Sequence, residues 1–98
     1  MEKIPENKLS MLVKYLEKRG VHVYGTEGHP HFTARSDGSG AMFLPKNPTV
    51  LQVKHELSHY IDFKNNGFDA YVKVGRAARE QSVLNRLQNN NRIWDNLI

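Results

Sequence analysis

The organisation of this chain is set by residues 53–62, Val53-Lys54-His55-Glu56-Leu57-Ser58-His59-Tyr60-Ile61-Asp62. They contain the pattern His-Glu-x-x-His. On a helix, His55 and His59 leave the same face one turn apart, so two neutral ring nitrogens can bind one Zn²⁺. Glu56 is displaced around the helix, where it can reach a water on the metal without being a ligand. The pattern therefore predicts two metal ligands and Glu56 as the general base of a hydrolytic reaction.

The residues on either side of the motif predict a helix with the motif in its middle. Asn47 is the expected N-cap and Pro48 the expected first helical residue. Residues 65–67, Asn-Asn-Gly, are a stop signal of the left-handed type. The alternative is a surface helix with two solvated histidines. Two neighbouring stripes of residues at helical spacing, one suited to a core and one to a site, favour a metal-binding helix over such a surface helix. The core stripe comprises Val50, Val53, Leu57 and Ile61, and the site stripe comprises Leu51, His55, His59 and Asp62.

The remaining sequence predicts a single α+β domain over residues 1–98, with a small sheet beside the motif helix and a helical C-terminal part. Residues 68–75 fit a strand or a helix equally well. The other expected elements are an amphipathic helix over 7–19 ended by Gly20, strands over 21–24, 32–35 and 41–44, a helix from Arg76 with Ala77, Glu80, Val83, Leu84 and Leu87 on one face, an interruption at 89–91, and a last amphipathic turn with Ile93, Trp94, Leu97 and Ile98.

Composition limits the class of protein and the chemistry of any metal site. Hydrophobic residues make up 39% and charged residues 24%, which describes a soluble globular chain rather than a disordered one. No apolar run approaches the ~20 residues of a membrane span, and residues 1–5 lack the apolar core of a signal peptide. There are no cysteines, so a zinc ion would have to use histidine and carboxylate ligands.

The net charge of +4 permits contact with nucleic acid or an acidic surface. However, the positive residues are scattered and acidic residues lie between them. No run of Lys and Arg and no basic-aromatic motif is present. The charge pattern therefore favours a solvated basic surface and argues against a nucleic-acid partner.

A catalytic zinc usually takes three protein ligands, so a third one is needed besides His55 and His59. Glu80 is the best candidate, because it lies among apolar residues of a downstream helix, where an unpaired carboxylate would be costly to bury. The alternative is a boundary glutamate paired with Arg76 or Arg79. Asp62 and Asp69 are rival ligands, although Asp62 is better placed to accept a hydrogen bond from a ligand histidine.

Three further features could contribute to the site. His29 and His31 flank Pro30 in a Gly/Pro-rich loop, where histidines are usually solvated. Tyr71 or His31 could stabilise an oxyanion. The apolar strand over 41–44 could offer its edge to an extended peptide, or it could simply be a core strand.

With His55-Glu56-Leu57-Ser58-His59-Tyr60 and a later Arg79-Glu80-x-x-Val83-x-x-x-Leu87 helix, the chain resembles the zincins with a glutamate third ligand. The order of predicted elements makes it similar, more narrowly, to the small zincin-like metallopeptidase toxin domains, which are C-terminal effector modules of bacterial polymorphic toxins. Only His-Glu-x-x-His is a specific signal in this resemblance.

The resemblance implies a minimal zincin-like fold and a zinc endopeptidase that acts on a protein or peptide as an antibacterial toxin. It also implies secretion or delivery into a target cell as part of a larger protein, and neutralisation by an immunity protein. The chain is similar too to small regulatory peptidases that cleave phage repressors, which is the second hypothesis. A third, from another class, is a non-catalytic basic binding module with a structural or vestigial zinc site.

Overall fold

The protein is α+β, as the sequence predicts. A computed structural model describes residues 2–89, of which the last contributes only its backbone. The predicted amphipathic turn at 93–98 lies outside these residues. The described elements are α1 (Glu6–Glu17), β1 (Val21–Gly25), β2 (His31–Ala34), β3 (Gly40–Leu44), α2 (Val50–Asn66), α3 (Phe68–Lys73) and α4 (Arg76–Asn89).

The three strands form a mixed sheet in the order β1-β3-β2. β1 pairs with β3 in parallel, from Val21 opposite Gly40 to Gly25 opposite Leu44. β2 pairs with β3 in antiparallel fashion, with His31 opposite Phe43. Because β3 is the central strand, the suggestion that it offers a free edge to a peptide is wrong. The edge beside α2 belongs to β2.

The core lies between one face of the sheet and helices α1 and α2. β3 alternates its side chains, and Met42 and Leu44 point into this core, where both are almost fully buried. The apolar face of α1 and the apolar face of α2 cover these side chains, and Ile4 of the N-terminal segment packs at one side of the core. The buried cluster comprises Ile4, Leu12, Leu16, Val21, Met42, Leu44, Val53, Leu57 and Tyr60.

Helix α2 begins at Val50, two residues later than the sequence suggested. Thr49 is the N-cap: its Oγ1 accepts the Gln52 N–H at 3.0 Å, and Gln52 Oε1 accepts the Thr49 N–H at 2.9 Å. Pro48 precedes the helix, and its carbonyl accepts the Ile4 N–H at 3.1 Å. This pairing of the N-terminal segment with the residues before α2 holds Pro48 out of the helix.

Of the two glycines expected to end helices, Gly67 directly follows α2 but Gly20 does not directly follow α1. α2 ends at Asn66, and Gly67 has a φ of +81°, as the stop signal predicts, but its ψ of 167° lies outside the left-handed helical region. α1 ends at Glu17, with Lys18 as its C-cap. Gly20, at a φ of +80°, therefore follows a further turn and is not the cap itself.

In the region that the sequence left open, 68–75, the first six residues form the short helix α3 (Phe68–Lys73), and the strand alternative is wrong. In α4 the expected apolar face is narrower than predicted: Val83 is buried and Leu87 is half-buried, but Ala77 and Leu84 are exposed. Among residues 2–89, no helix has the length and apolar character that crossing a membrane requires.

Candidate metal centre

Glu80 lies against both motif histidines. Its Oε2 is 3.1 Å from His55 Nε2, and its Oε1 is 3.0 Å from His59 Nε2. One ligand atom from each residue lies within 4.8 Å of the others, a group that could hold a metal ion. The structure thus brings together the three residues that the sequence nominated as metal ligands.

The donor set fits a zinc ion in kind. Two imidazoles and one carboxylate are the ligands of open, catalytic zinc sites. Each histidine contacts a different oxygen of Glu80, at 3.1 Å for His55 and 3.0 Å for His59, so the carboxylate bridges the two rings.

Glu80 reaches the motif because α4 packs along α2. Val83, one turn further along α4, is fully buried in this interface. Arg86, a second turn along, donates to Asp62 Oδ1 at 2.6 Å and to the Ser58 carbonyl at 3.1 Å. The alternative partners of Glu80, Arg76 and Arg79, line the same cleft, but the contacts found for Glu80 are with the histidines.

The rival ligands lie elsewhere. Asp69 is exposed in the first turn of α3 and does not belong to the group that could hold a metal. Asp62 is buried, but its partner is Arg86, so its expected hydrogen bond with a ligand histidine is not formed. Arg86 on α4 binds only Oδ1 of this carboxylate, and the buried Oδ2 has no hydrogen-bond partner in the described part of the chain.

Tyr71 takes the position expected for Asp62. Its hydroxyl lies 3.3 Å from His59 Nδ1, the nitrogen that faces away from Glu80. With Nε2 as a metal ligand, Nδ1 would carry the proton and donate a hydrogen bond to the Tyr71 hydroxyl, which would fix the orientation of the ring. The sequence suggested Tyr71 only as an oxyanion stabiliser, because no local signal shows which side chain of α3 meets the motif helix.

Tyr71 is itself held from two sides. Its ring packs edge-on against Phe32 and Phe63. The Arg79 guanidinium lies 5.1 Å from the ring centroid and donates to the Tyr71 and Val72 carbonyls at 3.1 and 3.2 Å. Burial raises the pKa of Tyr71 to about 12, so its hydroxyl remains protonated at neutral pH.

Glu56 lies in the same cleft and is almost fully buried, with the residue 5% exposed. Burial, and secondarily the negative charge of Glu80, raises the pKa of Glu56 to about 7. A carboxyl group with a pKa near 7 can both accept and return a proton at neutral pH, as a general base must.

His59 is tuned in the opposite sense. Burial lowers the pKa of its imidazole, although the neighbouring Glu80 carboxylate acts in the other direction. The lowered pKa favours the neutral form of the imidazole. Metal binding needs this deprotonated form.

Two cavities meet at the motif. The metal cleft, about 240 Å³, is lined on one side by Pro30, His31 and Phe32 at the start of β2. A neighbouring cavity of about 430 Å³ shares His55 and Glu56 with it and extends to His29, Pro30 and the exposed Leu51. The cleft thus continues beyond the metal group in one direction, along the first turns of α2.

The two loop histidines lie at the rim and are not among the metal-holding group. His31 Nδ1 is 3.1 Å from the His29 carbonyl, and its ring stacks on Phe43 with centroids 4.2 Å apart. Because neighbouring residues of a strand face opposite sides of the sheet, the His31 ring lies with Phe43 on the outer face, whereas Phe32 faces α2. The structure therefore gives no support to His31 as oxyanion stabiliser, and the Tyr71 hydroxyl is engaged by His59.

Known proteins add nothing to this geometry. No protein-family model matches the chain, and no match was found among curated proteins or solved structures. The identity of the metal and the reaction are therefore inferred from the residues of this chain alone.

Proposed function

We propose that the protein is a zinc-dependent endopeptidase. The observation that carries this proposal is the convergence of His55, His59 and Glu80 around one point, with the buried Glu56 beside it. Three ligands leave one position on a tetrahedral ion for a water molecule. A closed structural site would instead use four protein ligands.

Zinc, when bound, would supply a Lewis acid that polarises the peptide carbonyl and acidifies water. Glu56 accepts the proton of the attacking water and passes it to the leaving amine. His55 and Glu80 on their two helices hold the ion in position. Tyr71 keeps the His59 ring aligned, so the three donors remain directed at one point.

The free edge of β2 supports a peptide as substrate. Arg35 N–H donates to the Ser39 carbonyl at 2.9 Å, which makes this pair a hydrogen-bonded one. Because the two kinds of pair alternate in an antiparallel ladder, Ala34 and Phe32 belong to the other kind, and their N–H and C=O groups point away from β3. An extended peptide could pair with them and pass the metal group.

The apolar cavity around Leu51 supports a preference for an apolar side chain next to the cleaved bond. Leu51 lies one turn before His55 on the same face of α2 and is 48% exposed. In a small domain, a half-exposed leucine beside a reaction centre is well suited to contact substrate.

We further propose that the endopeptidase is an antibacterial toxin domain of the zincin type, delivered into a target cell and neutralised by an immunity protein. The support is the resemblance in motif and in element order: a leading helix, short strands, the motif helix, and a later helix that carries Glu80. A regulatory, repressor-cleaving peptidase is the alternative role for the same chemistry.

The first experiment measures zinc and proteolysis in the same preparations. The protein should carry about one zinc per chain and cleave an unfolded protein such as reduced casein. Glu56→Gln should retain zinc and lose cleavage by orders of magnitude, because an amide cannot accept a proton. His55→Ala should lose both. Zinc binding with no cleavage by the wild type would instead favour a structural or vestigial site.

A second experiment tests the third ligand. Glu80→Ala should weaken zinc binding strongly in titration against a competing chelator, and Glu80→Gln should weaken it less. Asp69→Ala, an exposed carboxylate on the next helix, is the matched control and should leave affinity unchanged. Equal affinities for Glu80→Ala and wild type would remove Glu80 from the ligand set.

The toxin role has its own test. Expression of the chain in the cytoplasm of a bacterium should arrest growth, and the Glu56→Gln variant at the same protein level should not. Proteolysis in vitro without growth arrest would favour the regulatory peptidase.

A further inference from the structure

A third cavity, of about 380 Å³, lies at the other end of α2. Three segments that are distant in sequence form it: the turn after α1 with Arg19, the β2–β3 turn with Gly38, and the last turns of α2 with the start of α3. None of the residues that line it lines the metal cleft. It is therefore a separate site.

Aromatic rings form the apolar part of this cavity: Tyr60, Phe63 and Phe68. Tyr60 and Phe63 are 5% and 4% exposed, so they are fixed core residues that present only part of a ring. Phe63 also packs against Phe32, which holds it from the side of the sheet. A rigid aromatic wall of this kind favours a flat apolar group.

Two cations line the same cavity, Arg19 and Lys64, and among residues 2–89 no acidic residue does. The Arg19 guanidinium is held by the Tyr15 carbonyl at 3.0 Å and lies 3.7 Å from the centre of the Tyr15 ring. A guanidinium that is already oriented loses little freedom when it binds an anion. The charge of this cavity therefore complements a carboxylate.

We propose that this cavity binds an aromatic carboxylate, with the ring against Tyr60, Phe63 and Phe68 and the carboxylate on Arg19 and Lys64. A free aromatic acid and the C-terminal aromatic residue of a peptide share this chemistry. Binding here requires neither zinc nor Glu56, because the two sites share no lining residue.

The test uses the full ¹⁵N-labelled chain and N-acetyl-phenylalanine as probe, with N-acetyl-phenylalanine amide as its uncharged match. The acid should shift the amide signals of Gly38 and Gly67, which lie in the cavity wall, and the amide should bind more weakly. Added salt should weaken binding of the acid, because the charges are exposed. A short peptide with C-terminal phenylalanine then distinguishes the two sources of ligand.

Two charge variants and one control complete the test. Arg19→Gln and Lys64→Gln should each weaken binding of the acid up to about fivefold, and both positions are exposed enough to leave the fold intact. Lys14→Gln, an exposed cation on α1 outside the cavity, should change nothing. Equal affinity for acid and amide, unchanged affinity in both charge variants, or equal binding of inorganic phosphate would each overturn the assignment.

Discussion

Two features of its surroundings raise the pKa of Glu56: burial and the neighbouring carboxylate of Glu80. Its pKa rises from the ordinary 4.5 to about 7 in the folded protein without metal. Between these two pH values the folded state binds more protons than the unfolded state. Stability from this residue is therefore lost as the pH rises through that window.

The metal-free Glu56→Gln variant should therefore be more stable than the metal-free wild type at pH 8, by roughly 3 kcal/mol or roughly 10–25 °C in Tm. At pH 4 the two should be equal, because the wild-type carboxyl is then protonated in both states. Thermal unfolding with chelator present, across this pH range, measures the difference. Comparing the two proteins cancels the opposite contribution of His59, whose lowered pKa favours folding as pH rises. A difference that does not vary with pH would contradict the burial of a proton-binding Glu56.

The single hydrogen bond between Tyr71 and His59 leads to a second prediction. Tyr71→Phe should keep the packing of the ring and leave His59 Nδ1 without its partner. Zinc affinity should fall roughly 10- to 100-fold, measured by competition with a chelator. Tyr24→Phe, an exposed tyrosine on the outer face of the sheet, is the control. If both variants bound zinc like the wild type, Tyr71 would be a packing residue only.

Single residues were predictable where their chemistry is local. His55 and His59 follow from helical spacing. Glu80 was nominated as a carboxylate among apolar neighbours, but its side chain is 42% exposed, so the packing of α4 on α2 and not burial brings it to the histidines. The partners of Asp62 and His59 were not predictable. Which cation meets Asp62 and which hydroxyl meets His59 depends on how α3 and α4 lie on α2, and no local pattern encodes that.

Secondary-structure elements were predictable to within a few residues, and their errors have physical causes. Both Asn47 and Thr49 are good N-cap residues, and only the pairing of the N-terminal segment with Pro48 decides between them. The segment 68–75 has alternating and helical apolar patterns at once. Its contact with α2 selects the helix.

The free edge of β2 leads to a prediction at the level of one strand. In the free protein the amide protons of Phe32 and Ala34 should exchange quickly with solvent, and that of Thr33, which faces β3, should be protected. Excess peptide substrate, bound to the inactive Glu56→Gln variant, should slow exchange of Phe32 and Ala34. NMR-detected hydrogen exchange measures each amide. Unchanged exchange on peptide binding would place the substrate elsewhere.

Over the whole molecule, the candidate metal ligands connect α2 and α4, through His55 and Glu80, which are 25 residues apart in sequence. A metal that binds only the folded chain stabilises it in proportion to the logarithm of its concentration over Kd. The α+β class was predictable from element types. The strand order was not predictable, because β1 pairs with β3, the strand after the next one in sequence, and this pairing places β3 at the centre of the sheet.

Zinc at about 100 times its Kd should add about 2.7 kcal/mol to stability, which raises Tm by roughly 10–20 °C in a domain of this size. Glu80→Ala should lose most of this gain. Glu27→Ala, an exposed glutamate in the loop before β2, should retain it. Differential scanning calorimetry with and without zinc provides the measurement. The same gain in all three proteins would show that zinc binds outside the cleft.

The pairing of Lys3 with Thr49 has a practical consequence for all of these measurements. Any polypeptide fused ahead of Glu2 begins beside Thr49, which lines the cavity next to His55. A polyhistidine purification tag in that position would bring foreign imidazoles to the metal cleft, where they could bind the ion or fill the space of a substrate. Metal counts and cleavage assays should therefore use protein from which such a tag has been removed.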